Sequence, residues 1–247
     1  GSQLRALVFL LIIMTVLAAG LTGGWVASIL DLRRKSESGW IILGAHEVAR
    51  LLARLLKQGG NEVICIDENP KSCRLAENEG IKVFYGNALG DRTLQRAEPD
   101  SRKGIIALSG NEEVNFIFSQ RAKYFEKKLI ILTGIKNKSD GITQDMLTEI
   151  GARVPFGQEA DMEQWSRWLQ KKTVRIHPYA FNGADEKHRL TDPEMVNMLL
   201  PLMLRRDKKV EPIDNLYEAR KKDRVYFLIN QQKKEEALAW LNENGWK

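Results

Sequence analysis

Trp40-Ile41-Ile42-Leu43-Gly44-Ala45-His46-Glu47-Val48-Ala49 decides how the chain folds. Four apolar residues run into a glycine. Val48, Leu51, Leu52, Leu55 and Leu56 then recur at helical spacing until Gly59-Gly60 stops them. A short buried strand, a tight turn and an amphipathic helix together predict the opening unit of a parallel α/β sheet.

Downstream sequence repeats that rhythm. Glu62 to Ile66 reads as a second strand ending at Asp67, and Asn69-Pro70 starts a helix with proline at the first-turn position, where its missing N–H costs nothing. Val83 to Tyr85, Gly104 to Leu108 and Leu129 to Leu132 read as further strands. Helices follow each of them over Asp91 to Ala97, Asn111 to Phe125 and Gln144 to Ile150. Within the longest of these, Val114, Ile117, Phe118 and Ala122 are expected on the inward face. Such alternation predicts a Rossmann-like, doubly wound parallel sheet over residues 39–171. Its last helix, from about Glu159 to Lys171, carries Met162, Trp165, Trp168 and Leu169 at a spacing that suits either core packing or docking on a second subunit. From Lys172 the pattern changes. Strands over Leu199 to Leu204, Val210 to Ile213 and Val225 to Ile229, with a helix from Glu235 to Asn244, predict a small α+β subdomain over 172–247.

The N-terminus is of another kind. Ala6 to Leu30 contains no charged residue, and at 1.5 Å per residue it makes a helix of roughly 37 Å, enough to cross a hydrocarbon layer. A transmembrane helix is expected over 4–32, contacting lipid, after Gly1-Ser2, which reads as a cloning remnant. The apolar run is too long for a signal peptide. Residues 33–38 read as a basic and polar linker. Arg33-Arg34-Lys35 against the single Arg5 places the following domain on the cytoplasmic side of the cell (inner) membrane. A single span has no inward-facing carboxylate, so ion transport would need an upstream transmembrane domain. Only two cysteines occur, Cys65 and Cys73, without metal spacing, and both are expected as reduced buried thiols.

Composition adds exclusions. The 247 residues are 43% apolar and 28% charged, which excludes wholesale disorder. The net charge of +6 is spread among acids, as in Glu126-Lys127-Lys128, without aromatic interleaving, so no nucleic-acid partner is expected.

Gly44, Ala45, His46 and Ala49 stand where a dinucleotide fold carries Gly-x-Gly-x-x-Gly/Ala. Gly44 serves the turn and Ala49 is small enough for helix–sheet packing. His46 replaces the glycine that lets a pyrophosphate touch backbone, and its Cβ obstructs that approach. Asp67, at the tip of the second strand, is placed to accept ribose hydroxyls. The residues alone leave two readings open, a nucleotide site or a vestigial pocket. No catalytic group is expected. His46, His177 and His188 form no triad or metal spacing, His177 before Pro178 reads as a turn residue, and Glu112-Glu113 and Asp185-Glu186 read as solvated surface.

Gly44 to Ala49, Ile66-Asp67-x-Asn69-Pro70, Gly86-Asn87-Ala88-Leu89-Gly90-Asp91 and Ala107-Leu108-Ser109-Gly110-Asn111-Glu112-Glu113-x-Asn115 together resemble a TrkA-N, or RCK (regulator of K+ conductance), domain. Gly20-Leu-Thr22-Gly-Gly-Trp25-Val-Ala27-Ser-Ile-Leu30 is similar to the final membrane helix of CPA-type monovalent cation:proton antiporters. The tail from Pro212 to Trp246 resembles the cytosolic ends of antiporters bearing such domains, and its strands are similar to the TrkA-C module. The resemblance implies a regulatory rather than enzymatic chain, which dimerises and binds NAD(H), AMP, ADP or ATP at the strand tips to control Na+ or K+/H+ exchange. Carried over to matching positions, the pocket comprises Gly44, Ala45, His46, Asp67, Asn87, Ala88 and Ser109. The family usually has Gly-Asp-Ala where Gly86-Asn87-Ala88 stands; this departure and His46 favour a mononucleotide or no ligand. The rivals are a regulatory subunit of a K+ channel or uptake system and a membrane-anchored NAD-dependent oxidoreductase.

Overall fold

The computed structural model describes residues 1–29, 39–125, 128–136, 141–157, 160–183 and 188–247. The expected linker 33–38 with its basic cluster, the far end of the apolar helix, Glu126-Lys127, Glu159 and Asp185-Glu186 lie outside the described residues.

Helix α1, Ser2–Ile29, is one of two units into which the chain divides. At 1.5 Å per residue its 28 residues span about 42 Å. By length and composition it can cross a bilayer. From Leu4 to Leu21 its large apolar side chains are exposed. The two threonines there are satisfied within the helix: Thr15 Oγ1 donates to the Leu11 carbonyl at 3.0 Å, and Thr22 Oγ1 to that of Ala18 at 2.6 Å.

In the second unit strand and helix alternate in chain order: β1 (Trp40–Leu43), α2 (Glu47–Gln58), β2 (Val63–Asp67), α3 (Pro70–Asn78), β3 (Lys82–Tyr85), α4 (Asp91–Arg96), β4 (Gly104–Ala107), α5 (Glu112–Phe125), β5 (Ile130–Thr133), α6 (Gln144–Glu149) and β6 (Ala152–Arg153). Then come α7 (Met162–Gln170), β7 (Val174–Ala180), β8 (Leu199–Arg206), β9 (Lys209–Pro212), β10 (Arg224–Asn230) and α8 (Lys234–Glu243). The first six strands form a parallel sheet in the order β3-β2-β1-β4-β5-β6, and Trp40 is in register with both Val63 and Gly104. This is the doubly wound Rossmann-like order, in which the order of strand addition switches sides between β1 and β4. All four residues of β1 are buried, as a central parallel strand requires.

The last four strands form an antiparallel sheet, β7-β10-β8-β9. His177 is therefore not a turn residue. It lies within β7, exposed and paired with Phe227, and the following Pro178 is tolerated because β7 is an edge strand that needs no donor on its open side. The two sheets share a core. Leu200, Leu202 and Met203 of β8, Val210 of β9 and Leu228 of β10 pack in one cluster with Trp40, Leu52, Leu56 and Trp165. Farther out a buried carboxylate ties the second sheet to its loops. Arg206 donates to both oxygens of Asp223, at 2.7 and 2.6 Å, and Tyr217 and the Arg220 amide also donate to Asp223. Burial works to raise the Asp223 pKa, but these bonds outweigh it and hold the carboxyl below its ordinary range.

Two further expectations need correction, and the one for the cysteines holds. On α5 the buried stripe is Asn115, Phe118, Ser119 and Ala122, while Ile117 is partly exposed. Ser119 and Asn115 face inward because they have partners there: Ser119 Oγ meets Thr133 Oγ1 at 2.7 Å, and Asn115 Nδ2 donates to the Gly134 carbonyl at 3.0 Å. Glu112 is buried rather than solvated, and its Oε2 accepts the Lys136 amide at 2.8 Å. Cys65 and Cys73 are both buried free thiols, and burial pushes the Cys65 thiol up to about 12.

Leu202 is fully buried between the sheets. Leu202→Ala is expected to cost about 2–5 kcal/mol. Because the core is shared, urea unfolding monitored by far-UV circular dichroism and by tryptophan fluorescence should shift together in one transition; separate transitions would contradict that coupling.

Candidate functional site

The cleft opens at the switch point of the parallel sheet, between β1 and β4, where the strand order reverses. It has a volume of about 840 Å³ and is floored by the C-terminal ends of β1, β2, β3 and β4. Gly44, His46, Asp67, Asn87, Ala88 and Ser109 all line it, from the ends of β1, β2, β3 and β4 or the turns that follow them. Ala45 does not. It is buried beneath the turn and contributes only its backbone.

The turn after β1 is locked by side chains of the chain itself. Gly44 takes φ +106°, a left-handed conformation that a side chain would strain, and a Cβ there would lie 3.3 Å from the His46 ring. Asp67 Oδ2 accepts the Ala45 amide at 2.6 Å, and Oδ1 accepts the Asn69 amide at 2.8 Å. Each oxygen keeps a further lone pair for a ligand hydroxyl. Arg50, buried on α2, donates to the Ala45 carbonyl at 2.8 Å and to Glu79 at 3.0 Å, fixing the turn from behind.

His46 is the N-cap of α2. Its Nε2 lies 2.6 Å from the Leu108 carbonyl, which can only accept, so Nε2 carries the proton. Nδ1 then accepts from Ser166 Oγ at 2.8 Å and from the Ala49 amide at 3.4 Å. Ser166 Oγ in turn lies 3.4 Å from the Val48 amide. Burial pushes the imidazole pKa below 6.5; the Leu108 bond and the Glu47 and Asp67 carboxylates oppose that shift without reversing it. The neutral ring is the form the geometry needs, because a proton on Nδ1 would cancel both of its acceptor contacts.

On the β4 side, Asn115 is the organising residue. Its Oδ1 accepts the Ser109 amide at 2.9 Å and the Ser109 hydroxyl at 2.6 Å, while its Nδ2 donates to the Ser109 carbonyl at 3.1 Å. On the β3 side, Asn87 Oδ1 accepts the Leu89 amide at 2.8 Å, forming an Asx turn that shapes the loop.

Helix α7 covers the remaining side and contributes Glu163, Ser166, Arg167 and Gln170 to the cleft. Gln170 Nε2 donates to Glu47 Oε1 at 2.6 Å, a second tie between α7 and α2. Of the two readings for this helix, the structure gives core packing. Trp165 is buried and meets Trp168 edge to face at 5.1 Å, and Trp168 is partly buried against the same core. The polar residues between those tryptophans are what the spacing argument missed. Ser166, one position after Trp165, lies off the apolar spacing of Met162, Trp165, Trp168 and Leu169 and carries no signal of its own. The inward-facing Asn115, a lone polar residue on the buried side of α5, was the available clue to the β4 wall.

The cleft mixes polar and apolar lining, and acids outnumber bases among its charged residues. Asp67, Glu68 and Glu163 face it, and Arg167 is the one lysine or arginine among its described lining residues. Among the described residues no group of histidine, cysteine and carboxylate side chains is gathered to hold a metal ion.

Residues 40–156, just under half of the chain, match the family model of the TrkA-N domain. A curated relative, the "Trk system potassium uptake protein TrkA homolog" of Pyrococcus abyssi, is 28% identical over 96 residues, which cover 38% of this chain and 42% of that protein. The chain thus spans well under half the length of this relative. Among solved structures, the TrkA-N domain of the inner membrane protein ybaL from Escherichia coli is 16% identical with a TM-score of 0.43, over 55% of this chain and 96% of that one. A structure of GsuK bound to ADP is 21% identical with a TM-score of 0.42, over 57% of this chain and 40% of that one.

Because His46 is depressed in the fold, the unfolded chain binds the proton first as pH falls below 6.5. The stability that His46 contributes is therefore complete above that pH and is lost on acidification toward the folded-state value. His46→Asn, which keeps an N-capping oxygen, should flatten the Tm-against-pH curve between pH 7.5 and 5.5 relative to the parent chain. Parallel curves for the two proteins would remove His46 as the group responsible.

Proposed function

We propose that this chain is the ligand-sensing, regulatory portion of a membrane system that moves monovalent cations, with the strand-tip cleft as its nucleotide site. One observation carries the reading. Asp67 stands at the end of β2, bonded to the turn after β1, with acceptor capacity directed into a cleft large enough for a nucleotide. In a doubly wound sheet that is where ligands bind, and a carboxylate at that strand end is suited to a ribose diol. In this reading Gly44, Ala45 and His46 shape the turn, Asn87 and Ala88 line the β3 side, and Ser109 lines the β4 side.

The membrane part of the proposal rests on α1, which is long and apolar enough to span a bilayer and precedes the TrkA-N domain in the chain. The domain lies on the cytoplasmic side of the inner membrane in this reading, following the Arg33-Arg34-Lys35 cluster. Of the transport systems that could own such a chain, a cation:proton antiporter is favoured by the likeness of residues 20–30 and of the tail to antiporter segments. The alternative, a regulatory component of K+ uptake or of a K+ channel, is favoured by the TrkA homolog that the central domain matches. Proton-coupled cation flux in vesicles, changed by nucleotide, supports the antiporter; nucleotide-dependent K+ conductance without proton movement supports the alternative. Against an oxidoreductase role, no hydrogen-bonded acid–base pair is poised at the cleft among the described residues, and His46 has both nitrogens engaged in structure.

The chain works as a homodimer in this proposal. Because Trp165 and Trp168 pack inward, the partner surface lies elsewhere, and α5 supplies an apolar face. Ile117, Tyr124 and Phe125, seven to eight positions apart and so on one side of the helix, are 37%, 85% and 41% exposed.

Two outcomes test these points. Asp67→Ala should remove calorimetric binding of adenosine nucleotides while leaving the far-UV spectrum unchanged; retained affinity would move the ligand out of this cleft. Tyr124→Glu should convert a dimer to a monomer by light scattering without loss of thermal stability, and a dimer that persists would place the interface on another face.

A further inference from the structure

In a dinucleotide-binding turn, backbone amides and the N-terminus of the first helix hold the pyrophosphate. Here three of those amides already have partners. Ala45 donates to Asp67, Ala49 to His46 and Val48 to the Ser166 hydroxyl. The imidazole and the hydroxyl, themselves joined at 2.8 Å, stand where the anion would sit, and three carboxylates, Asp67, Glu68 and Glu163, look into the same cleft. A phosphate entering at α2 would have to break a partly buried network and take up a site of repulsive charge. The cation that lines the cleft sits opposite, on α7. Arg167 is more than half exposed, and its one described ion pair is a 4.0 Å contact with Glu163. An exposed pair at that distance holds the guanidinium weakly.

We infer that the cleft is specific for a nucleoside monophosphate, with the ribose diol on Asp67 and the phosphate on Arg167, and that His46 and Ser166 exclude dinucleotides by occupying the pyrophosphate position themselves. The inference rests on the nucleotide reading above and adds to it a ligand class, a phosphate-binding residue and a selectivity device. It also gives Ser166 a role that a merely packed helix residue would not have, since the hydroxyl caps α2 from another element and closes the turn to anions.

The experiment is calorimetric titration of the full chain in detergent with adenosine, AMP, ADP and NAD, repeated on Arg167→Gln, Ser166→Ala and His46→Gly. In the parent chain AMP should bind more tightly than adenosine, and NAD at least about tenfold more weakly than AMP, the loss expected when a charge-assisted contact is replaced by an unpaired anion. Arg167→Gln should erase the advantage of AMP over adenosine while leaving adenosine affinity in place. His46→Gly should raise NAD affinity, and Ser166→Ala, which disturbs the fold less, should raise it in the same direction. NAD binding as tightly as AMP in the parent chain, or an AMP-to-adenosine ratio untouched by Arg167→Gln, overturns this inference alone. Absence of binding by all four compounds overturns the nucleotide reading along with it.

Discussion

A single imidazole, held neutral, organises the ligand end of this molecule. His46 donates from one nitrogen to the end of β4 and accepts with the other from α7 and from its own helix. Three elements that converge only at the point where the strand order switches are thereby pinned to one another. The cost is modest: a neutral ring needs no counter-charge, and both nitrogens are satisfied, so little polar desolvation goes uncompensated. Without that ring the Ala49 amide would lose its acceptor and α7 its bond to the turn; with it, the loop is shaped from the inside.

The rest of the fold follows from having to cover both faces of six short parallel strands. One face is closed by α4, α5 and α6, whose cluster includes Phe118, Ala122 and Leu147. The other is closed by α2, α3 and α7, and there the helices do not suffice. The second sheet completes that cover with Leu200, Leu202, Met203, Val210 and Leu228. Each such side chain contributes about 1.5–3 kcal/mol when removed from water. Helix α7 belongs to both jobs. Its tryptophans are core and its polar edge is cleft, so a shift of α7 driven by ligand would be transmitted directly to β7, which follows it in the chain.

Much of this was legible in the residues, for physical reasons that differ by element. Strands β1, β2, β4 and β5 announce themselves because a central parallel strand is apolar on both sides, and glycine or Asn-Pro punctuation marks the adjoining helix ends. β6 was not legible: two residues carry no periodicity. β7 was concealed by Pro178, which is a breaker in a central strand and harmless on an edge. The buried side of α5 was assigned from apolar spacing, yet its inward positions include Asn115 and Ser119, which bury well only because β4 and β5 end in groups that bond them. The cleft followed the same division. Gly44 and Asp67 could be placed from local spacing, because strand ends in this topology converge. Ser166, Arg167 and Gln170 could not, since their arrival depends on how a helix more than a hundred residues later crosses the sheet.

The joint core between the two sheets sets a rule for cutting the gene. Ending translation just after α7 would strip the cover from Trp40, Leu52 and Leu56, leaving a sticky apolar scar on an otherwise complete Rossmann-like half. Such a fragment should aggregate unless the missing β8 and β9 strands are supplied in trans. Modular transfer of this Rossmann-like unit to another protein therefore requires carrying its tail along, or redesigning the face beneath it.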